Sequence, residues 1–350
     1  MLRGFFCARC NTAYGLFTKS SCILYLVIGI ILLNLGGPDS LEAIRPFLYN
    51  LFSDRDIIRL GPSFLQKPLA ALISKTRSKK TMAMYSLIGG KSPILEITTA
   101  QAASLESVLN SSIVAPGPSP SFKVYIGMRY WHPFIEDTLD NMQRDGIKKI
   151  LALGLYPHYS IATTGSSERT FKEAAEKRRM AYFCAPSWFN HPIYIDALAE
   201  KIQEKMKDFD NKPVVLFSAH SLPQKFIDEG DPYANEIKGT IEAVTKKLDI
   251  QWHLSYQSKS GPVKWLGPST EHMLEELAGK GVKDLLVVPV SFVSDHIETL
   301  YEIDILYKNM AQKLGINLKR AESLNTSPKF IEALKDIVMK YLDKTGWDLK

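Results

Sequence analysis

The 350-residue sequence predicts an α/β fold of two similar, doubly wound, Rossmann-like halves with parallel sheets and a cleft between them. Three observations carry that prediction. Apolar runs of strand length, bounded by Gly or Pro, alternate with helical patterns. The runs are apolar on both faces, which suits strands buried between helices in a parallel sheet. The alternation itself argues for βαβ units, and part of the pattern recurs along the chain.

The predicted strands are residues 27–35, 122–128, 149–155, 213–219, 251–256 and 284–292. Helical patterns fall between them at 133–144, 194–207, 235–248 and 270–278, and a carboxy-terminal helix over 328–344 packs back. The recurrence lays residues 31–38 on 216–223, each a strand ending in a loop and a proline. It also lays 145–151 on 280–286, each a helix-ending Gly, a short turn and a buried strand. The chain is thus expected to divide into an extension (1–24), an amino-terminal half (25–185), a carboxy-terminal half (186–315) and a final helical piece (316–350). Within the first half, residues 65–92 stand apart as a lid segment. There Leu65, Leu69, Leu72 and Ile73 form an apolar stripe, followed by Lys75, Arg77, Lys79 and Lys80. Such a basic amphipathic segment lies on a membrane surface or covers an apolar ligand, unless it is an ordinary surface helix with solvated lysines.

Composition excludes several classes. At 45% hydrophobic and 23% charged residues the chain is an ordinary globular one, with no disordered or collagen-like character. The net charge of +6 is too weak and too local for nucleic acid, since Arg3, Arg9 and Lys19 all precede the first acid, Asp39. Cys7 and Cys10 have metal-knuckle spacing, but no second pair follows to complete a zinc site. Only Cys184 comes after Cys22, as expected of a reducing compartment. The apolar run from Cys22 to Leu35 is shorter than the ~20 residues of a membrane span, and no comfortable signal-peptide cleavage site follows it. The reading preferred is a short extension before a buried first strand.

In an open α/β sheet, ligands bind beyond the carboxyl ends of the strands. His220 ends one predicted strand, and an imidazole there is a natural proton acceptor or metal ligand. Asp295, Glu298 and Glu302 follow another; on a helix their spacing places three carboxylates on one face. Like charges so close raise one another's pKa values and prepare the group to pass protons or hold a cation. Phosphate-loop, dinucleotide and nucleophile-elbow glycine patterns are all missing, so phosphoryl, hydride and acyl transfer have little support.

Several segments resemble the ferrochelatase family: Leu33-Asn-Leu-Gly-Gly-Pro38, Ile88-Gly-Gly-Lys-Ser-Pro93, Gly127-Met-Arg-Tyr-Trp-His-Pro133 and Tyr156-Pro-His-Tyr-Ser160. So do Ser218-Ala-His-Ser-Leu-Pro223, Tyr256-Gln-Ser-Lys259, Trp265-Leu-Gly-Pro268 and Ser294-Asp-His-Ile-Glu-Thr-Leu300. The matches run in order from about residue 27 to 320. The resemblance implies a two-domain chelatase fold and insertion of Fe(II) into protoporphyrin IX, the last step of haem synthesis, with release of two protons. It assigns His220 and Glu298 to iron coordination and proton abstraction; Asp295 and Glu302, on the same predicted acidic face, are expected to relay protons or metal. It places Arg77, Tyr85 and Ser92 against porphyrin carboxylates or the ring edge, and Arg129, Tyr130 and Trp265 in the pocket lining.

Relatives with a [2Fe–2S] cluster carry a cysteine where Ile161 stands and more in a tail. With no cysteine after Cys184, no cluster and no tightly bound cofactor are expected; Fe(II) is substrate. This leans toward a bacterial cytoplasmic enzyme touching the inner membrane peripherally through residues 65–92. The extension is either a targeting piece or an upstream-start artefact. The alternatives are a chelatase for coproporphyrin or another tetrapyrrole, and a haem or metal carrier without turnover.

Overall fold

A computed structural model describes residues 27–111, 121–261 and 263–347. The expected extension, its Cys7–Cys10 pair and the targeting reading lie outside the described residues. The first half builds strand β1 (Val27–Asn34), helices α1 (Ile44–Ser53), α2 (Gln66–Ser86) and α3 (Ile94–Ser111), then β2 (Ser121–Met128), α4 (Ile135–Arg144) and β3 (Lys149–Gly154). A π-helical turn, Ile161–Gly165, then opens α5 (Ser166–Lys177), and β4 (Ala181–Cys184) closes the sheet. The second half runs α6 (Pro192–Met206), β5 (Val214–His220), α7 (Gln224–Asp228), α8 (Tyr233–Thr245), β6 (Trp252–Gln257), α9 (Thr270–Gly279) and β7 (Asp284–Pro289). A π-helix (Glu298–Tyr307), α10 (Lys308–Lys313), β8 (Asn317–Arg320) and α11 (Pro328–Leu342) complete it.

Each half carries a four-stranded parallel sheet, ordered β2-β1-β3-β4 and β6-β5-β7-β8. The two orders are the same pattern, and the recurrence in the sequence is its trace. Laying 31–38 on 216–223 superposes β1 on β5, the second strand in each order; laying 145–151 on 280–286 superposes β3 on β7. The helix-ending glycines match as well: Gly146 and Gly281 adopt φ of +78° and +82°, a left-handed conformation that Gly enters without strain. The central strands are buried on both faces, Ile28, Ile30, Ile31, Leu32, Leu285, Leu286, Val287 and Val288 all being inaccessible. Truncating any of them to Ala would cost about 2–5 kcal/mol, the loss expected for an unrelaxed core cavity.

Local sequence explains the helix boundaries. Pro192 and Pro328 sit in the first turn of α6 and α11, where a missing N–H costs nothing. Glu136 and Asp137 open α4 and Arg144 closes it, in accord with the helix dipole. Helix α11 packs against α3 and α6, so one core continues across both halves.

The lid segment is helical from Gln66 to Ser86. In α2 the buried positions are Gln66, Ala70, Ser74 and Tyr85. Leu65 and Leu72 face solvent, joined by Phe64 before the helix and Leu87 after it. Tyr85 packs with Ile44, Phe47 and Leu48, while Leu69 and Ile73 of the stripe are half-buried.

Candidate active site

The carboxyl ends of both sheets meet over a cavity of about 1120 Å³, open mouth included. Its walls are largely apolar: Leu35, Leu51, Ile57, Ile94, Leu222, Trp265 and Val293 contribute from both halves. The ionisable groups on its lining are His158, His220, His296, Glu298 and two tyrosines, Tyr156 and Tyr233.

His220 ends β5 because its main chain is held on both sides. Its N–H donates to Ser291 Oγ at 2.9 Å, and its carbonyl accepts from the Tyr233 hydroxyl at 3.0 Å. Its Nδ1 lies 3.4 Å from Glu298 Oε1 without the alignment of a hydrogen bond, and finds no other partner among the described residues. Glu298 begins the π-helix, a widened turn that recurs at functional sites. Its other oxygen accepts from His296 Nε2 at 2.5 Å, while His296 Nδ1 meets the Ser294 carbonyl at 2.9 Å. Both ring nitrogens of His296 therefore face acceptors, which makes it an imidazolium. Burial opposes that charge, but Glu298 outweighs it and raises the His296 pKa. Burial likewise pushes the Glu298 carboxyl up; the charges of His220 and His296 and the His296 hydrogen bond reverse this and bring it to about 2. An ionised carboxylate beside an unpartnered imidazole nitrogen, under an apolar roof, can take a divalent cation or a proton.

Glu302 lies one turn on. Its Oε2 accepts from Ser258 Oγ at 2.5 Å and Gln257 Nε2 at 3.0 Å. Burial and the Glu298 charge together push its carboxyl up to about 7, against those two donors. Glu302 can therefore hold or release a proton near neutrality. Gln257 also donates to the Glu298 carbonyl at 2.9 Å, and Ser218 Oγ donates to its amide oxygen at 2.7 Å. One buried amide thus fixes the start of the π-helix to the sheet.

Asp295 does not join them. It precedes the helix, so the expected face of three carboxylates reduces to two. Its Oδ1 accepts from Arg320 Nη1, Ser323 Oγ and Thr299 Oγ1, and its Oδ2 from Asn325 Nδ2, at 2.8–3.0 Å. Burial would raise its pKa, but Arg320 and these donors hold it below the usual carboxylate range. A carboxylate so committed anchors the loop and is poorly placed to relay.

The residues expected to touch the porphyrin fall into four groups. Trp265 lines the cavity, its Nε1 unpartnered. Tyr85 is buried, its hydroxyl hydrogen-bonded to Ser92; burial and the Glu298 charge raise its pKa far above the usual range. Arg77 reaches out of α2 instead, over the Phe52 ring and onto Ser260 Oγ of the other half. Arg129 and Tyr130, expected in the lining, sit behind it. Asp54 Oδ2 accepts from Arg129 Nη2 and the Tyr130 hydroxyl, each at 2.7 Å, and from Ser166 Oγ at 2.5 Å. The reason is packing: Tyr130 belongs to a buried cluster with Ile44, Phe47 and Leu48.

His296, Gln257 and Tyr233 were not singled out from the sequence. His296 had a usable signal, an imidazole two residues from an acid in Asp295-His-Ile-Glu298. Gln257 lay within the Tyr256-Gln-Ser-Lys259 segment but without a role attached, and Tyr233 had no signal, because what each does depends on partners distant along the chain.

A family model described as Ferrochelatase matches residues 27–342. A protein named Ferrochelatase from Geotalea uraniireducens is 51% identical over 319 residues, covering 89% of this chain and 97% of that one. Another of the same name from Synechocystis sp. is 48% identical over 326 residues, covering 90% and 83%. Among solved structures, SirB from Bacillus subtilis with Fe3+ superposes with a TM-score of 0.53 at 12% identity, covering 93% of this chain and all of that one. At that identity the likeness speaks for the fold alone.

Proposed function

The chain belongs to the ferrochelatase family, and from that premise we propose that it inserts ferrous iron into protoporphyrin IX in the cavity between the two sheets. Iron replaces two pyrrole N–H protons, so each turnover gives one protohaem and two protons. The observation that carries the reading is the meeting of His220, His296 and Glu298 within one apolar cavity.

Each group has a part matched to its surroundings. The flat, greasy macrocycle is taken by the apolar walls and Trp265, and binding energy away from the nitrogens can bend the ring toward the metallated shape. His220 Nδ1, with no competing partner, accepts a pyrrole proton or ligates the entering iron. Glu298, kept ionised by His296, supplies the negative charge that draws the cation out of water. Glu302 accepts the proton that leaves, since its carboxyl changes state near neutrality. No resident cofactor is invoked: iron is substrate, and the thiol of Cys184 is pushed up to about 12 by burial and left protonated.

The exposed Phe64, Leu65, Leu72 and Leu87, with the lysines of α2 beside them, suit peripheral contact with an anionic membrane, the source of an apolar substrate. No helix among the described residues is long and apolar enough to cross a bilayer.

Anaerobic incubation of the protein with excess Fe(II) and protoporphyrin tests the assignment. Porphyrin fluorescence should vanish over many turnovers; loss of only one equivalent per chain would make the protein a carrier. A faster rate with coproporphyrin III would move the substrate to that ring.

A further inference from the structure

Helix α8 does more than support the second sheet. Its first turns reach across the cleft to the loop that follows β3 in the first half. Asp231, just before the helix, accepts from Ser160 Oγ at 2.9 Å and the Ile161 N–H at 2.8 Å through Oδ2. Its Oδ1 accepts from the Tyr233 N–H at 3.0 Å. One turn on, Glu236 accepts from the Tyr159 N–H at 2.6 Å and Ser187 Oγ at 2.8 Å. A further turn brings Thr240, whose hydroxyl donates to the Phe189 carbonyl and so must accept from His158 Nε2 at 2.8 Å. The helix can lie this close because Gly239 faces the Phe189 ring, which a Cβ there would meet at 2.6 Å.

The clamped loop is a wall of the cavity: Tyr156, His158, Ser160, Ala162 and Thr163 all line it. The same helix holds His220 from the other side, through the Tyr233 hydroxyl on its carbonyl. One rigid element therefore sets both the loop and the imidazole. We propose that Asp231 and Glu236 are positioning residues for iron insertion, fixing the wall formed by residues 156–163 relative to His220. A porphyrin pressed between those surfaces is bent only if their separation is fixed, and a displacement of about 1 Å can cost a hundredfold in rate. This rests on the functional reading above.

The two halves do not depend on this clamp alone. Gln101 on α3 donates to Ser294 Oγ at 3.0 Å and the Asn325 carbonyl at 2.8 Å, a separate tie between them. Cutting the α8 clamp is thus expected to loosen one wall and leave the chain folded.

The experiment uses the full chain and the anaerobic Fe(II)–protoporphyrin assay, beside amide exchange of Tyr159 and Ile161. In the Asp231→Ala/Glu236→Ala double variant, exchange at both amides should speed markedly. There kcat should fall at least about tenfold, with KM for porphyrin within about threefold. Glu236→Gln, whose amide oxygen can still accept from Tyr159, should recover most of the rate. Asp231→Asn should recover less, because its NH₂ must oppose either the Tyr233 N–H or the Ser160 and Ile161 donors. If the double variant does not fold, Glu236→Ala against Glu236→Gln reads the same split. Fast exchange with kcat held near the parent value overturns the inference, as does equal loss in the Gln and Ala variants. A parent with no turnover overturns the functional reading itself and this inference with it.

Discussion

Two histidines occupy comparable places in the two halves, each on the loop after the third strand of its sheet. His158 follows β3 and His296 follows β7, and both line the same cavity. Burial acts on both in the same direction, against charge. His158 hydrogen-bonds the Thr240 hydroxyl, packs its ring edge-on to Tyr233, and is driven down by burial to about 3, so it stays neutral. His296 meets a carboxylate and a carbonyl and is driven up. The contrast repeats where the first strands of the halves end. Asn34 at the end of β1 spends its side chain on Thr98 Oγ1 and the Leu35 N–H, whereas His220 at the end of β5 keeps Nδ1 free beside Glu298. On the function proposed above, one scaffold used twice gives a binding wall in one half and a reactive wall in the other. The partners supplied at the strand ends decide which.

The sharpest way to break that comparison is to remove the charge from the reactive wall. Glu298→Gln and His220→Ala should each lower turnover at least about a hundredfold, a change of near 3 kcal/mol in activation free energy. His158→Gln, whose amide can keep the bond to Thr240, should keep a third or more of it. Single-turnover rates at saturating porphyrin decide this; equal losses in the two halves would erase the distinction.

Much of this was legible before the structure. The parallel strands, their recurrence and the meeting of His220 with Glu298 follow from runs of buried residues and from what stands at their ends. The edge strands β4 and β8 were not, because each is only four residues long: β4 (Ala-Tyr-Phe-Cys) is apolar but too short to stand out, and β8 (Asn-Leu-Lys-Arg) has a single apolar residue. Helices α1, α3 and α5 were missed as well, and the strand over 284–292 stops at Pro289, past which the chain turns into the loop that holds Phe292. Spacing placed Asp295 with Glu298 and Glu302. What the sequence could not express is that Arg320, Ser323 and Asn325, some thirty residues on, take up its oxygens.

That commitment sharpens the comparison within the reactive half itself. Asp295→Ala strands Arg320, whose side chain is only 9% exposed, with a single remaining carboxylate, Asp304. Removing one partner of a buried pair costs about 3–5 kcal/mol. Denaturant midpoints of Asp295→Ala should fall accordingly, while the single-turnover rate of its folded fraction stays well above that of Glu298→Gln. The reverse ranking would return Asp295 to the chemistry.

Glu302 gives a smaller effect with a definite sign. Its carboxyl is raised from 4.5 to about 7, so the folded state binds its proton more tightly than the unfolded chain does. The associated stability is complete below pH 4.5 and is lost as pH rises through 7. Glu298, at about 2 in the folded state, is present in parent and variant alike, so its own linkage, which acts near the unfolded value of 4.5, largely cancels from the difference between them. Glu302→Gln should therefore match the parent near pH 4 and exceed it near pH 8, by at most about 3 kcal/mol. A thermal-melting series across that interval measures the gap; a gap independent of pH would mean that Glu302 is ionised throughout.

The smallest effect concerns the binding wall's outer surface. Leu72 is 58% exposed on α2, and its neighbours in the buried stripe are Ala70 and Ser74, so nothing in the fold requires its size. Leu72→Ser should leave the melting temperature nearly unchanged, as a surface substitution worth within about 0.5 kcal/mol does. If α2 rests on lipid, the same change removes a side chain that water and protein both leave uncovered. Partition to vesicles with anionic headgroups should then weaken several-fold, by the ~0.8 kcal/mol per buried CH₂ that sets such binding. Co-sedimentation with phosphatidylglycerol vesicles over a series of ionic strengths separates this from the charge of Lys75, Lys79 and Lys80, which salt screens while leaving the leucine contribution in place. Unchanged sedimentation of Leu72→Ser together with a salt-insensitive parent would leave α2 a lid and no more.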